Sequence, residues 1–185
     1  FGNIKNSAVV YKNSDFSSAS NSFDTITNVL LDPENLAYTK ITHSNGTIYT
    51  LDVGDDGVLT QSAINGVISS RSDIKSVRIG TNVNSIGSSA FYGCTQLETV
   101  IIPDGVETIG DYAFRECTQK LQSVTIPNSV TTISSYAFSY CYQLETITIG
   151  NGITSIGGLA FGNIKNSAVV YKNSDFSSAS NSFDT

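Results

Sequence analysis

Residues 97–117 read LETVIIPDGVETIGDYAFREC, and residues 121–141 read LQSVTIPNSVTTISSYAFSYC. The two stretches share their apolar positions, a proline in the seventh place, an Ala-Phe pair and a final cysteine. A similar unit begins at Ile74 and another at Leu144, so four copies span Ile74–Phe161. Their first residues are separated by 97 − 74 = 23, 121 − 97 = 24 and 144 − 121 = 23 positions. A fixed period of this length predicts a solenoid of stacked units.

Each unit opens with the alternation that is typical of a β-strand. In the second unit Val100 and Ile102 are expected to point into the core. Thr99 and Ile101 should face outward, and Pro103 should end the strand because proline cannot donate a ladder hydrogen bond. Equivalent strands of stacked units would pair in parallel and form one curved sheet on the concave side. The short segments around each Ala-Phe pair predict single turns or 3₁₀ pieces on the convex side.

The complete pattern is L-x-x-V-x-I-P-x-x-V-x-x-I-x-x-x-A-F-x-x-C, and it resembles the BspA-like (Treponema pallidum-type) leucine-rich-repeat family of surface proteins. The resemblance covers Ile74–Phe161, about half the chain, and the strand triplet, the Ala-Phe pair and the cysteine recur together within it. It implies an α/β-type leucine-rich-repeat solenoid, mostly β with short convex turns, preceded by an antiparallel β-hairpin cap. It further implies an extracellular or cell-surface location, adhesion and protein binding, and no catalysis.

The two ends of the chain carry the same sequence. Phe1–Thr25 is identical to Phe161–Thr185 at an offset of 161 − 1 = 160 positions. Such identity indicates a recent tandem duplication, since diverged repeats do not keep it. We therefore interpret the chain as one 160-residue module of a longer array together with an overlap, although an artificially duplicated tail would give the same sequence. The two copies are expected to adopt one conformation.

The array interpretation divides the chain into four segments. Residues 1–25 are the C-terminal tail of the preceding module, and residues 26–73 are a β-hairpin cap and junction region. Residues 74–161 are the leucine-rich-repeat solenoid. Residues 162–185 are a terminal strand followed by a Ser/Asn-rich tail, copied from the start of the chain.

Two hairpins are predicted in the cap. Asn-Gly between alternating runs is the strongest short hairpin signal, and Asn45-Gly46 lies between Tyr38–Thr42 and Thr47–Leu51. A second hairpin is expected to turn at Gly54–Gly57 and to return along Val58–Ser62. Both should cover the first repeat strand, because an open solenoid end exposes apolar core and an unpaired strand edge.

The sequence holds few residues with catalytic or metal-binding potential. His43 is the only histidine, and a solvated side chain is favoured over a metal or catalytic role. Asp52, Asp55 and Asp56 lack the oxygen spacing of a calcium loop, which favours ordinary turn chemistry. Asn45-Gly46-Thr47 is a formal N-glycosylation sequon that the hairpin turn also explains. Since no catalytic triad, phosphate loop or dinucleotide motif occurs, we predict no enzyme, no cofactor and no metal.

The cysteines recur at one position of the unit, as Cys94, Cys117 and Cys141. A zinc site would need ligands that converge on a point, whereas a ladder spreads them along a line. A strand spacing of about 4.8 Å would let one neighbouring pair approach disulfide distance. Inward cysteine packs as a small hydrophobe, however, so three buried thiols are favoured over a disulfide.

The composition limits the partners of the chain. With a formal net charge of −6 it has no electrostatic reason to bind nucleic acid or anionic lipid, and it holds no apolar run long enough for a membrane span. The favoured function is a structural module of an extracellular fibre or long tandem-repeat surface protein, with neighbouring copies joined end to end as its partners. The alternative is an adhesin-type module that binds a host or cell-surface protein on its concave face.

Two sets of candidate contact residues follow from these hypotheses. The candidate concave face comprises the outward residues of the repeat strands: Ser76, Arg78, Thr99, Ile101, Ser123, Thr125, Thr146 and Thr148. It is mostly small and hydroxylated, without the aromatic anchors that binding hot spots use. The candidate module junction comprises four phenylalanines of the terminal segments: Phe16, Phe23, Phe176 and Phe183. Large aromatic side chains favour burial, so these should plug the junction between modules.

Overall fold

The computed structural model describes residues 36–172. Within this range the chain forms β1 (Thr39–His43), β2 (Ile48–Leu51), β3 (Val58–Leu59), helix α1 (Gln61–Val67), a 3₁₀ turn (Arg71–Asp73), β4 (Ile74–Arg78), β5 (Ser85–Ile86), β6 (Thr99–Ile101), β7 (Thr108–Ile109), β8 (Ser123–Ile126), β9 (Thr132–Ile133), β10 (Thr146–Ile149), β11 (Ser155–Ile156) and β12 (Val169–Lys172). These elements wind into a solenoid that is mostly β, as predicted.

Two walls of parallel strands run along the solenoid. On the concave wall β4 pairs with β6 and β8 pairs with β10, so that Val77 lies beside Val100 and Val124 beside Ile147. The second wall has the order β11-β9-β7-β5-β3 and consists of two-residue strands. Because equivalent residues of successive units lie side by side, each apolar position of the repeat becomes a ladder through the core.

The convex side consists of turns that are joined by backbone hydrogen bonds between units. The N–H groups of Phe91, Phe114 and Phe138 donate to the carbonyls of Ala113, Ala137 and Ala160, each at 2.7 Å. Left-handed backbone recurs at two positions of each turn, for example at Tyr112 (φ 59°) and Glu116 (φ 62°). A backbone that returns repeatedly to positive φ cannot continue as an α-helix. The predicted single turns are therefore confirmed.

The centre of the core is a stack of phenylalanine rings. Phe91, Phe114, Phe138 and Phe161 are all 0% exposed. Successive ring centroids lie 5.2, 5.1 and 5.3 Å apart, with interplanar angles of 11°, 7° and 2°. Each buried ring contributes about 1.5–3 kcal/mol relative to an exposed one. No single unit could bury such a ring alone, so the fold depends on stacking.

The first predicted hairpin is confirmed and caps the concave wall. β1 pairs antiparallel with both β2 and β4, which places Ile41 opposite Tyr49 and Val77. The chain before β1 packs directly on the backbone at Gly80, where a Cβ atom would lie 2.1 Å from the Ala37 carbonyl oxygen. A side chain at this position would therefore push the cap away from the first repeat.

The second predicted hairpin is wrong. β3 pairs in parallel with β5, with Leu59 beside Ile86, and thereby starts the second wall. The chain then enters α1, because the Thr60 Oγ1 accepts a hydrogen bond from the Ala63 N–H at 3.1 Å and caps the helix. The helix buries Ile64 against the core. The apolar ladder and the N-cap together outweigh the local turn signal of the glycines and aspartates.

The terminal strand expected after residue 162 is present as β12. It pairs in parallel with β10, so that Val170 lies beside Ile147, and it continues the concave wall by one strand. The Ser/Asn-rich tail from residue 173 onward lies outside the described residues.

Candidate binding surfaces

The structure brings the eight candidate concave residues together in two rows across the strands. One row comprises Ser76, Thr99, Ser123 and Thr146, and the other comprises Arg78, Ile101, Thr125 and Thr148. All eight are half-buried or exposed. The predicted outward position of these eight residues is therefore confirmed, while a ligand for this face stays a prediction.

A groove of about 190 Å³ lies where the cap meets the concave wall. It is lined by apolar Ile48 and Ile101 and by basic Lys40 and Arg78, among others. Ile48 is 37% exposed and Ile101 is 58% exposed. The sequence did not point to Lys40 and Ile48, because only the antiparallel register of β1 places Lys40 opposite Arg78 and Ile48 opposite Thr42.

Arg78 links the cap to the first repeat. Its Nη1 donates to the Leu36 carbonyl at 3.3 Å, and its Nη2 donates to the Tyr38 carbonyl at 3.2 Å. Hydrogen bonds from a charged donor are stronger than those between neutral groups. They hold the guanidinium along the rim of the groove, so Arg78 has a structural role as well as a position on the candidate face.

A second groove, of about 460 Å³, follows the C-terminal ends of the concave strands. Its lining includes Asp104 and Asn128, together with Thr125 and Thr148. The Asn128 Oδ1 accepts a hydrogen bond from the Asn151 N–H at 2.9 Å, which ties neighbouring turns together. The lining of this groove mixes isoleucines and prolines with these polar side chains, and it holds none of the aromatic anchors that strong protein contacts use.

The convex side carries an aromatic cluster that the sequence analysis missed. The guanidinium carbon of Arg115 lies 5.0, 5.4 and 5.8 Å from the ring centroids of Tyr140, Tyr112 and Tyr136. Tyr112 and Tyr136 stack with centroids 5.3 Å apart, and Tyr142 meets Tyr140 edge-on at 6.0 Å. Cation–π contacts of this kind contribute about 0.5–1 kcal/mol at exposed sites. Tyrosine and arginine are also the residues that interface hot spots favour.

Three of these tyrosines have a costly backbone. Tyr112, Tyr136 and Tyr140 have φ values of 59°, 59° and 60°. Left-handed backbone costs a non-glycine residue roughly 1–3 kcal/mol. Ring stacking and the cation–π contacts to Arg115 offset part of this backbone cost. Both kinds of contact join neighbouring turns, so they form only when the turns stack. The sequence did contain one indication of this cluster. Tyrosine precedes the Ala-Phe pair in two successive units, at Tyr112 and Tyr136, which are 136 − 112 = 24 positions apart.

The expectation of a solvated His43 is wrong. Its side chain is only 14% exposed, and its Nε2 lies 3.7 Å from the Asp73 Oδ2. The ring also meets Tyr49 edge-on, with centroids 6.3 Å apart. His43 lies at an irregularity in the pairing of β1 with β4, where the register shifts between Thr42 and His43.

Asp52 and Asp56 of the acidic cluster accept hydrogen bonds from backbone N–H groups two residues further on, as aspartates in turns commonly do. The Asp52 Oδ1 accepts hydrogen bonds from the Gly54 N–H at 3.2 Å and from the Asn82 Nδ2 at 3.0 Å. The Asp56 Oδ1 accepts one from the Val58 N–H at 3.1 Å. Across residues 36–172, no three His, Cys, Asp or Glu side chains are grouped so that they could hold a metal ion.

The prediction of three buried thiols is confirmed. Cys94, Cys117 and Cys141 are free and buried. The Cys141 Sγ–H donates to the Phe114 carbonyl at 3.2 Å, and that of Cys117 donates to the Phe91 carbonyl at 3.6 Å. Burial raises the pKa of Cys94 to about 12 and raises the pKa of Cys117 well above its ordinary value. A thiol that stays protonated is a poor nucleophile, so the ladder contributes to packing.

The candidate junction residues Phe16, Phe23, Phe176 and Phe183 lie outside the described residues. The same holds for Phe1–Thr25, so the expected common conformation of the two identical segments stays a prediction. In the part of the chain that the structure covers, no helix has the length and apolar character needed to cross a membrane.

Comparisons with solved structures find leucine-rich-repeat proteins. A protein from Bacteroides ovatus is 25% identical over 56% of this chain and 31% of its own, with a TM-score of 0.49. The leucine-rich-repeat protein of T. pallidum is 29% identical over 52% of this chain and 51% of its own, with a TM-score of 0.46. A leucine-rich cell surface protein from Faecalibacterium prausnitzii is 32% identical over 53% of this chain and 35% of its own, with a TM-score of 0.36. The chain thus spans about half or less of each of these proteins.

No curated protein matches the chain significantly. The family model of the BspA type leucine-rich-repeat region, in 6 copies, matches residues 64–185. This range exceeds half of the 185 residues and contains the strands β4 to β12. The matched range contains the ladders of strands, phenylalanines and cysteines, and the chain belongs to the BspA-type leucine-rich-repeat family.

Proposed function

We propose that this chain is a structural module of a long extracellular or cell-surface tandem-repeat protein, in which modules are joined end to end. The observation that carries the proposal is the identity of Phe1–Thr25 with Phe161–Thr185 at an offset of 160 residues. An identity of this length is what an array of nearly unchanged modules produces. Family membership supports a repeat scaffold, and the surface location is carried over from the family resemblance.

The two described ends of the solenoid differ in a way that suits head-to-tail joining. At the N-terminal end the antiparallel hairpin of β1 and β2 covers the first repeat strand, β4. At the C-terminal end β12 pairs with β10 on one side, and within residues 36–172 no strand pairs with its other side. A strand edge can template a further strand or the cap of a following module. Unlike ends produce heterologous contacts, which propagate unless their rotation closes a ring.

The junction phenylalanines test this proposal. Replacing Phe16, Phe23, Phe176 and Phe183 by serine is expected to leave the module folded, because the substitutions change none of the core side chains within residues 36–172. It should shorten or abolish filaments, since the apolar plugs between modules are lost. Negative-stain electron microscopy gives the filament lengths, and circular dichroism gives the fold.

The matched control is Ile101→Ser, which removes an exposed apolar side chain from the concave face. It should leave the filament length unchanged. Filaments of full length in the variant with four serines would place the junction elsewhere and leave assembly to the strand edges alone.

The adhesin alternative is favoured by one specific observation. The groove between the cap and the concave wall combines exposed Ile48 and Ile101 with basic Lys40 and Arg78 in an otherwise acidic chain. Such a groove suits a protein surface that presents an apolar side chain beside a carboxylate. Ile101→Ser would weaken binding of that kind without shortening filaments, so the control also separates the two functions.

A further inference from the structure

Helix α1 occupies the place of a repeat turn. The parallel pairing of β3 with β5 sets Leu59 beside Ile86. Counted on from this pair, residues 60–67 read TQSAINGV and residues 87–94 read GSSAFYGC. The two stretches share the Ser-Ala pair and the glycine, and their apolar positions coincide. We call residues 88–94 the first repeat turn; α1 is its counterpart one unit earlier.

The equivalence extends into the core. Ile64 stands where the first repeat turn has Phe91, and Val67 stands where it has Cys94. All four side chains are buried in the same apolar core. The helix therefore continues the ladders of the solenoid, although its backbone differs from that of the turns that follow.

Regular turns donate backbone hydrogen bonds to the turn that follows. The Phe91 N–H donates to the Ala113 carbonyl at 2.7 Å, and the Gly93 N–H donates to the Arg115 carbonyl at 2.9 Å. The backbone of the donating turn is left-handed at Ser89 and Gly93, with φ values of 55° and 72°. Each regular turn thus presents donors to the next unit and carbonyl acceptors to the unit before it.

The helical turn cannot donate in this way. An N–H group of an α-helix points along the helix axis to the carbonyl four residues earlier. The Ile64 N–H accordingly donates to the Thr60 carbonyl at 3.2 Å, whereas its counterpart at Phe91 donates to the next unit. The acceptors of the first repeat turn, the carbonyls of Ala90 and Tyr92, must therefore find their hydrogen bonds elsewhere.

Arg71 supplies these hydrogen bonds. Its Nη1 donates to the Ala90 carbonyl at 2.9 Å and to the Tyr92 carbonyl at 3.2 Å, and the Ser89 carbonyl lies at 3.3 Å. Its Nε donates to the Asn65 Oδ1 at 2.8 Å, which anchors the guanidinium on α1. The planar guanidinium holds its donors in a fixed fork, and hydrogen bonds from a charged donor are stronger than neutral ones.

A longer connection brings the arginine to this edge. Six residues, 68–73, follow α1 before the next unit opens, while only two, residues 95–96, follow Cys94. The additional 6 − 2 = 4 residues make room for the 3₁₀ turn Arg71–Asp73. The insertion and the helix therefore occur in the same unit, which is the unit where the donors are needed.

We propose that α1 is the first convex turn of the solenoid converted into a cap, and that Arg71 gives the following turn the hydrogen bonds that a left-handed turn would have donated. Because a helix uses its backbone groups along its own axis, α1 ends the convex ladder. A further repeat turn cannot be added there in hydrogen-bonded register. All of these contacts lie within one module, so the cap does not depend on the proposed array.

Arg71→Gln in the full chain tests the cap. The first repeat turn should then open locally, because it loses the forked donor that holds it to α1. Cys94, which lies in this turn, should react with iodoacetamide at pH 8 about tenfold faster than in wild type, or more. Cys117 and Cys141, in later turns, should keep the wild-type rate. Mass spectrometry of the digested protein gives the rate at each cysteine.

The charge of Arg71 cannot produce this result by itself. Burial raises the pKa of Cys94 to about 12, and the nearby guanidinium acts in the opposite direction. Loss of the charge alone would raise the pKa further and slow the reaction of the thiol. A faster reaction therefore reports opening of the turn.

The matched control is Arg115→Gln, which removes the same charge from the convex side one unit further on. The Arg115 guanidinium lies over tyrosine rings, so its loss should leave Cys94 at the wild-type rate.

Three outcomes would overturn the proposal. A wild-type rate at Cys94 in Arg71→Gln would show that the first repeat turn does not depend on the guanidinium. An equal rise at Cys94, Cys117 and Cys141 would show a general loss of stability in place of a cap at one end. A rise at Cys94 of the same size in Arg115→Gln would show that any loss of positive charge has this effect.

Discussion

Phe138→Ala is expected to lower the free energy of unfolding by ~3–5 kcal/mol. The ring is 0% exposed and lies between Phe114 and Phe161, with centroids 5.1 and 5.3 Å away. Its removal leaves a cavity that the neighbouring rungs cannot close, because strand and turn hydrogen bonds fix the distance between units. Urea denaturation, followed by circular dichroism, gives the change directly.

Thr125→Ala is the matched control from the same unit. Thr125 is exposed on the concave face, so its loss should change the free energy of unfolding by less than ~0.5 kcal/mol. A larger loss of unfolding free energy for Thr125→Ala than for Phe138→Ala would mean that the inward and outward faces of the unit have been assigned the wrong way round.

The native thiols are expected to resist alkylation at pH 8 until the protein unfolds. Burial raises the pKa of Cys94 from 9.0 to about 12, so the thiolate fraction falls by roughly 1,000-fold even before steric protection is counted. Mass spectrometry after iodoacetamide treatment measures the labelling. Urea-unfolded protein should be labelled at Cys94, Cys117 and Cys141.

The same shift in pKa gives a pH dependence. Because the folded-state pKa lies above the unfolded one, Cys94 stabilises the fold fully below pH 9 and progressively less as the pH rises toward about 12. Ile164→Cys is the matched control, since Ile164 holds the same repeat position and is only partly buried at the end of the ladder. It should be labelled well before the native thiols. Equal labelling of all four cysteines in the folded state would contradict burial of the three native thiols.

The repeat itself could be predicted from the sequence because its ladders depend on spacing alone. Once units of 23 or 24 residues stack, Phe114 must lie over Phe138, and Cys117 over Cys141, whatever the details of the turns. The outward positions of Thr99 and Ile101 followed from strand alternation in the same way. Such predictions succeed because period and pattern have the same cause, which is burial of one face of each unit.

Features that depend on contacts between unlike segments could not be predicted. The parallel pairing of β3 with β5 needs the ladder position of Leu59, which the glycine-rich turn signal before it concealed. No local pattern indicates that His43 lies half-buried beside Asp73, at a point where the register of β1 against β4 shifts. The groove at Lys40 depends on the register of β1 against β4, and the Arg115 cluster depends on left-handed turns. Each becomes visible only when distant residues are brought together.

Electron cryomicroscopy of a chain that carries several consecutive 160-residue periods tests the central claim most directly. Modules joined end to end should appear as an unbranched rod with a constant axial repeat. In each repeat the cap hairpin of one module should contact the β12 end of the module before it. Separate beads with variable spacing and no fixed contact between modules would contradict the account.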